Sequence, residues 1–408
     1  ESQMSGKWPG GFIKKTAPTV VGPTGGEGGT ASGIWTLDQA ADYEKQGLWP
    51  KPIIQGYLWT WGVGVNGQRA QGNTSNYSSP VQVGALVDWW KTSSGGSYWL
   101  GLRSDGTLWA CGLGTAGRLG QSNATSYSSP VQVGVETDWA QPAAGDATSH
   151  GIKTDGTLWA WGTGTGGQLG NGTTTSVSSP VQVGALTTWS QMASGRNFSG
   201  AIKTDGTLWA WGNNSQGQLG QGNTITYSSP VQVGVLTDWL NVNAGTYNVW
   251  ATKTDGTLWS IGQGANGPLG NGTVTNVSSP VQVGALTNWL KLFGGYAAVR
   301  AIKTDGTLWA WGLATSGQLG DGTTVNKSSP VQVGALTNWS EVTGSFYTVG
   351  ALKTDGTLWT WGEAAYGQLA NGTITPNISS PVQVGADTNW IKLGLGGENA
   401  RGLMAMKS

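Results

Sequence analysis

A unit of 50 residues recurs seven times along the 408-residue chain, and a fixed period of that length restricts the fold to a repeat architecture. One copy reads Lys303-Thr304-Asp305-Gly306-Thr307-Leu308-Trp309-Ala310-Trp311-Gly312, then Gly317-Gln318-Leu319-Gly320-Asp321-Gly322-Thr323, then Ser328-Ser329-Pro330-Val331-Gln332-Val333-Gly334, then Thr337-Asn338-Trp339. Within each unit, short apolar runs are parted by turn residues. In a central copy, Trp189 opens a first run that ends near Ala193-Ser194-Gly195, Gly200–Lys203 is a second, Thr207–Trp211 a third and Pro230–Val233 a fourth. Thr204-Asp205-Gly206 marks a tight hairpin, because Asp and Gly tolerate the positive φ such turns require. The polar, Gly-rich stretch from Gly212 to Ser229 suits a longer connection.

Four strands per unit and seven units predict an all-β fold, a seven-bladed β-propeller of four-stranded blades. Alternation along the third run places Leu208 and Ala210 on one face and Trp209 and Trp211 on the other. Neither face carries a charge, as expected where neighbouring blades cover both, and the Trp pairs read as inter-blade packing. Asp-Gly turns stand at Asp105, Asp155, Asp205, Asp255, Asp305 and Asp355. The first copy lacks the strands before this turn and starts at Gly56-Tyr57-Leu58-Trp59-Thr60-Trp61. The C-terminus supplies them: Trp390 opens a first strand, and Ala405-Met406-Lys407-Ser408 aligns with Ala301-Ile302-Lys303-Thr304. One blade is therefore expected to form from both ends of the chain, closing the ring and removing exposed strand edges.

The repeat resembles the regulator-of-chromosome-condensation family over about residues 56 to 408. The resemblance rests on Asp-Gly-Thr-Leu-Trp-Ala-Trp-Gly, on Gly-Gln-Leu-Gly as at Gly167–Gly170, and on Ser-Ser-Pro-Val-Gln-Val. It implies a seven-bladed propeller. Two departures matter. Where family repeats often carry a His after the first strand, this chain has Thr148 and Phe198 in two copies, with its lone His150 two positions later. The inserted wedge loop that the family's nucleotide-exchange members use against a small GTPase is also missing, so the resemblance carries the fold and not that activity.

Composition narrows the partners. A chain with 70 Gly could be disordered, but 25 Trp supply the apolar bulk of a core. A formal net charge of zero provides no excess of Lys and Arg for a phosphate backbone or an anionic membrane, so nucleic acid is not expected as a partner. With Cys111 the only cysteine and His150 the only histidine, no internal disulfide, metal site or cofactor is expected. No apolar run is long enough to span a membrane. The repeated Asp residues are explained by turns and fall one per blade, too dispersed for a catalytic pair, so no enzyme is expected.

Residues 1–34 are rich in Gly, Pro, Ser and Thr and read as an extended N-terminal arm. Residues 35–55 read as one short helix and a linker. Thr36 is its N-cap with Gln39 three positions on, the helix runs from about Leu37 to Gln46, and Gly47 and Pro50 end it. Residues 56–408 are the propeller. The segment from Ala31 to Pro50 resembles one found in structural proteins of tailed bacteriophages. The chain begins at Glu1 rather than Met, which leaves open a processed terminus or an omitted leader.

Function is expected where the copies differ. The stretch between the first and second runs varies most, and its Tyr, Trp, Phe, Arg and His residues are types that dominate recognition surfaces. The candidate ligand- or partner-binding residues are Tyr98, Trp99, His150, Arg196, Phe198, Tyr247, Trp250, Tyr296, Arg300, Phe346, Tyr347 and Arg401. They either bind a partner or turn inward and plug the central channel. Trp8, Phe12, Trp35 and Trp49 are the candidates for docking the arm on other structural proteins. Arm, phage-like segment and neutral propeller together predict a non-enzymatic component of a phage virion: a capsid decoration, tail or fibre protein. The alternatives are a glycan-binding adhesin at the cell surface or secreted, and an intracellular regulator of a GTPase or chromatin.

Overall fold

In the computed structural model, the Asp-Gly turn is built identically in copy after copy. At Asp305, Oδ1 accepts from the N–H of Thr307 at 2.9 Å and from its Oγ1 at 2.6 Å, and Thr307 Oγ1 accepts from Trp309 Nε1 at 2.9 Å. Gly306 adopts φ +76°, and a Cβ there would sit 2.1 Å from Thr337 O, so the site is restricted to glycine on two counts. These hydrogen bonds, the threonine hydroxyl first and its N–H next, hold the carboxyls of Asp155, Asp205, Asp255, Asp305 and Asp355 below the usual carboxylate range. The acids are used by the turns, as their sequence context implies.

The turn sets the register of a four-stranded antiparallel sheet. In the central copy the strands are Trp189–Ser194, Phe198–Lys203, Leu208–Gly212 and Tyr227–Gln232, lying in that order from channel to rim. Two boundaries differ from the sequence expectation. The second strand starts at Phe198 rather than Gly200, with Phe198 opposite Gly212. The outer strand starts at Tyr227 rather than Pro230, and Pro230 is tolerated there because the strand is an edge.

The two tryptophans of the third strand have different roles. Trp211 is buried, meets Trp189 edge-on at 5.9 Å, and donates from Nε1 to Gln168 O of the preceding blade at 3.0 Å. Trp209 is half-buried and stacks under the ammonium of Lys203, 3.5 Å from the ring centroid. The core is divided into clusters between adjacent blades. One joins Ile152, Leu158, Leu169 and Val183 to Trp189, Ala201 and Trp211 of the next blade.

Seven such sheets surround a central channel walled by the inner strands. One is composite: Trp390–Leu393, Gly402–Lys407, Tyr57–Gly62 and Tyr77–Gln82 form a single sheet, with Tyr57 opposite Lys407 and Gly62 opposite Gly402. The expected closure by both chain ends is what the structure contains.

The structure describes residues 56–372, 374, 376–394 and 401–408, together with the backbone of residues 7–8 and 11–12. The chain divides into two units, Glu1–Ile54 and Gln55–Ser408. In the first, Lys7–Trp8 pairs antiparallel with Gly11–Phe12. The helix expected at about Leu37–Gln46, the rest of the arm, and Trp35 and Trp49 lie outside the described residues.

Candidate functional site

The loop from first to second strand and the start of the connection from third to fourth share one face of the propeller. Main-chain bonds tie them together: Gln263 N donates to Tyr247 O at 3.0 Å, and Glu363 N to Tyr347 O at 2.9 Å. Because the second strand starts earlier than expected, the variable residues divide into two groups.

The first group lies within the second strand. Tyr98, Trp99, His150, Phe198, Trp250 and Arg300 are all buried. This strand is flanked by two others and covered on both faces by blades, so alternation gives it no solvent side. Tyr98 Oη donates to Thr148 O at 2.8 Å and accepts from Ser149 Oγ at 2.9 Å, and burial raises its phenol above the ordinary value. Trp99 packs edge-on against Trp89 at 5.6 Å, and Trp250 Nε1 donates to Pro268 O at 2.9 Å.

His150 faces Ser194 Oγ through Nδ1 at 2.9 Å and Gln168 O through Nε2 at 3.2 Å. A carbonyl only accepts, so Nε2 carries the proton, and burial pushes the imidazole pKa down to about 3. Arg300 donates to Gln318 O at 2.9 Å and Ala298 O at 3.3 Å, and burial lowers its pKa to about 9. These side chains are used within the body of the propeller, Tyr98 and His150 bonding the next blade and Trp250 and Arg300 carbonyls of their own, and a ligand at the surface does not reach them.

The second group is at the surface and runs across several blades. Arg196 Nε lies 3.7 Å from Asp146 Oδ2, and its Nη1 donates to Tyr247 Oη at 3.3 Å. Tyr296 stacks on Phe346 at 4.0 Å and 19°, and Tyr347 meets Phe346 edge-on at 4.3 Å. The phenol of Tyr347 is raised, first by its partial burial, then by Tyr296 and Glu363. Arg401 is exposed and lies over Tyr366 at 5.0 Å. The arrangement is an arc of aromatic rings flanked by guanidinium groups, largely pre-packed side to side. Such a surface buries apolar area against a partner at little cost in side-chain entropy.

Sequence reasoning missed two members of this arc, Tyr366 and Asp146. Tyr366 lies in the third-to-fourth connection, whose other copies read as solvated turn material. Its aromatic identity among Asn66, Ala116, Gly166, Gln216, Asn266 and Ser316 at the matching positions is the signal that could have found it.

A family model described as an RCC1-like domain matches residues 57–400. Among solved structures, Prp20p from Saccharomyces cerevisiae, studied for its binding to Gsp1p and histones, aligns with TM-score 0.77 at 18% identity over 90% of this chain and 94% of its own. Yeast RCC1 (Prp20) bound by Kap60 aligns with TM-score 0.77 at 19% identity over 96% of each chain. Human WBSCR16 aligns with TM-score 0.75 at 18% identity over 86% of this chain and 99% of its own. At these identities the likeness is one of fold. Comparison with curated proteins finds none that matches.

These findings correct the expectation of a phage virion component and, with it, the virion or extracellular localisation. The family model covers most of the propeller, and the similar structures named above are yeast RCC1 (Prp20), studied for its binding to Gsp1p and histones, and human WBSCR16. These similar proteins are not phage proteins, and the phage resemblance of the segment from Ala31 to Pro50 is not shown by them.

Proposed function

The chain belongs to the RCC1-like domain family, and from that premise we propose that it is a non-enzymatic intracellular regulator that binds a protein on its loop face. The partner class is a GTPase or a chromatin protein. Prp20p supports this class, since it binds Gsp1p and histones. The observation that carries the reading in this chain is the surface arc of Arg196, Tyr247, Tyr296, Phe346, Tyr347, Tyr366 and Arg401. Aromatic and arginine side chains gathered on one face are the usual composition of a protein-binding hot spot. Residues 1–34 and 35–55 are proposed as an arm and linker that supply further contacts to partners through Trp8, Phe12, Trp35 and Trp49.

The glycan-binding alternative loses support from burial, because Tyr98, Trp99 and Trp250 are enclosed between blades. No wedge insertion of the family's kind is read among the repeats in the sequence, so the proposal is of binding first, with nucleotide exchange as a separate question.

The test is surface-plasmon binding of the full chain to a panel of small GTPases and to histone octamers, with nucleotide release measured in parallel. The expected result is saturable binding to a panel member. It should weaken at least about tenfold in the Tyr296→Ala/Phe346→Ala/Tyr347→Ala variant, the loss typical of hot-spot truncation, read at a temperature where the variant is folded, since Tyr296 and Tyr347 also pack on a buried cluster and their loss lowers the melt. No binding across the panel, or binding indifferent to that variant, would overturn the proposal.

A further inference from the structure

The face opposite the loop face, where the Asp-Gly turns lie, carries apolar side chains that the fold does not require. Each connection from an outer strand to the next inner strand crosses this face against one of those turns. Trp239 N donates to Gly206 O at 3.1 Å, Trp289 N to Gly256 O at 3.3 Å and Trp339 N to Gly306 O at 3.1 Å. Leu186, Leu236, Leu286 and Leu336 hold the same place in four consecutive connections, and each is 43–47% exposed. The matching residues of two other connections are Glu136 and Asp387. The connection therefore accepts an acid where these four copies present leucine.

The inner strands add to this surface at a β-bulge. Their second residue is the extra one, since the register shifts between Trp239 and Asn241 and between Trp289 and Lys291, and a bulge re-aims such a side chain. In two blades the bulge residue is a serine that satisfies the main chain: Ser190 Oγ donates to Ile202 O at 3.0 Å, and Ser340 Oγ to Leu352 O at 3.1 Å. In the two blades between them it is Leu240 or Leu290, 42% and 50% exposed, a side chain that cannot make that bond. Two adjacent blades thus present Leu236 with Leu240 and Leu286 with Leu290. Leucines exposed singly are ordinary on a folded protein, whereas exposed leucines repeated along one arc mark a contact surface.

The charge beside these leucines is sorted by depth. Each turn carries one lysine and, two residues on, one aspartate, so the signs balance in number. Asp155, Asp205, Asp255 and Asp305 are exposed in the turns that the four connections cross. Lys203, Lys253 and Lys303 are at most 8% exposed, and each ammonium lies over a tryptophan: Lys203 at 3.5 Å from Trp209, Lys253 at 4.6 Å from Trp259 and Lys303 at 3.6 Å from Trp309. Lys291, next to Leu290, is engaged by Ser340 O at 2.8 Å and by Glu341 at 3.7 Å. A partner that covers the leucines meets carboxylates first, with the balancing cations set back against the rings.

We propose that the turn face over the blades opened by Trp239 and Trp289 docks a basic amphipathic segment of a partner protein. Its apolar side chains cover Leu236, Leu240, Leu286 and Leu290, and its Lys or Arg groups pair with Asp205, Asp255 and Asp305. Complementary charge selects a basic segment over an acidic one, and the leucines select an amphipathic segment over a simple polycation. A second copy of this chain set face to face would bring carboxylate against carboxylate, which charge opposes. The surface lies on the face away from the aromatic arc and is independent of the loop-face reading.

Fluorescence anisotropy of labelled peptides titrated with the full chain tests it. The probes are a Leu/Lys peptide with its leucines on one helical face, the same peptide with Glu for Lys, and the same peptide with Ser for Leu. The expected result is saturable binding of the Leu/Lys peptide that weakens as salt is raised, with the other two at least about tenfold weaker. Leu240→Ser/Leu290→Ser copies Ser190 and Ser340, so its melt without peptide should be no lower than the parent's. It should weaken binding about tenfold, the scale of two partly covered leucine side chains. Asp255→Asn/Asp305→Asn keeps the Oδ1 acceptors of both turns and should weaken binding severalfold at low salt. Leu86→Ser, on the same face across the ring, should leave it unchanged. Absence of saturable binding, equal binding of the Leu/Glu peptide, or affinity indifferent to the Leu240/Leu290 variant would overturn the proposal. The parent and that variant should also sediment alike without peptide. A dimer present in the parent and lost in the variant would assign the surface to a second copy and overturn the proposal as well.

Discussion

Removing Gly402–Ser408 should destabilise the whole ring, because these residues are the second strand of the composite blade. Leu403, Met404, Ala405 and Met406 are at most 2% exposed. Burying a Leu or Met side chain contributes about 2 kcal/mol, so three of them contribute about 6 kcal/mol, an upper figure because the unfolded chain already buries part of that surface. The strand also pairs on both sides, with Trp390–Leu393 and with Tyr57–Gly62, so its loss leaves two unpaired edges in place of a closed sheet. A domain is typically stable by only about 5–15 kcal/mol, so the deletion removes a large part of the total. Thermal unfolding followed by Trp fluorescence should fall by at least about 10 °C, given a shift of a few degrees per kcal/mol. Adding the Gly402–Ser408 peptide in excess should recover part of the loss. A truncated chain that melts within about 2 °C of the parent, a gap worth roughly 1 kcal/mol or less, would refute the closure argument.

Two further outcomes follow from single side chains. His150 is held neutral down to about 3 in the fold, against an ordinary value near 6.5 in the unfolded chain, so the unfolded state takes up the proton first. Its stabilising effect is complete above about pH 6.5 and is lost as pH falls, by about 2 kcal/mol between pH 6.5 and 5. Urea midpoints across that range should show this slope, and His150→Leu, which copies Leu100 of the matching strand, should flatten it. The turn carboxyls, lowered from an already acidic value, act only below about pH 4 and do not confuse the window. Thr307→Val removes the hydroxyl bond to Asp305 and the acceptor of Trp309 Nε1, leaving the main-chain bond to Asp305, and should cost about 1–2 kcal/mol in denaturant unfolding, whereas Thr307→Ser should cost much less.

The parts of the fold legible in the sequence are those set by local chemistry at fixed spacing. Asp305-Gly306-Thr307 specifies a turn through bonds within three residues, and its repetition every 50 residues gives blade number and strand order. Closure was legible for the same reason, since Ala405-Met406-Lys407 carries the pattern of Ala301-Ile302-Lys303. The interaction face was read less well, and the cause is a single boundary. Second strands open with residues such as Phe198-Ser199-Gly200 or Asn248-Val249-Trp250, whose Ser, Gly and Asn have weak β preference, so local chemistry does not mark where the strand begins. In the folded ring that segment lies between two strands and two blades, and tertiary pairing overrides local preference: Phe198 pairs with Gly212 and Asn248 with Gly262.

A shift of two residues places Tyr98, Trp99 and Phe198 in the body of the sheet rather than in a loop, and His150, Trp250 and Arg300, which match Gly200 at the expected strand start, are buried with them. The same shift leaves Arg196, Tyr247, Tyr296, Phe346 and Tyr347, which directly precede the strands, at the surface. Position relative to the strand start therefore decides whether a variable aromatic packs or binds. On this chain the rule divides the candidates into buried residues, whose bonds and packing hold blades together or fix their own blade, and surface residues, which are open to a partner. The channel obeys a related rule. The third residues of its inner strands vary among Lys, Gln, Asn and Glu while several make one kind of inter-blade bond, so the bond explains why the position is polar and why either an ammonium or an amide serves there.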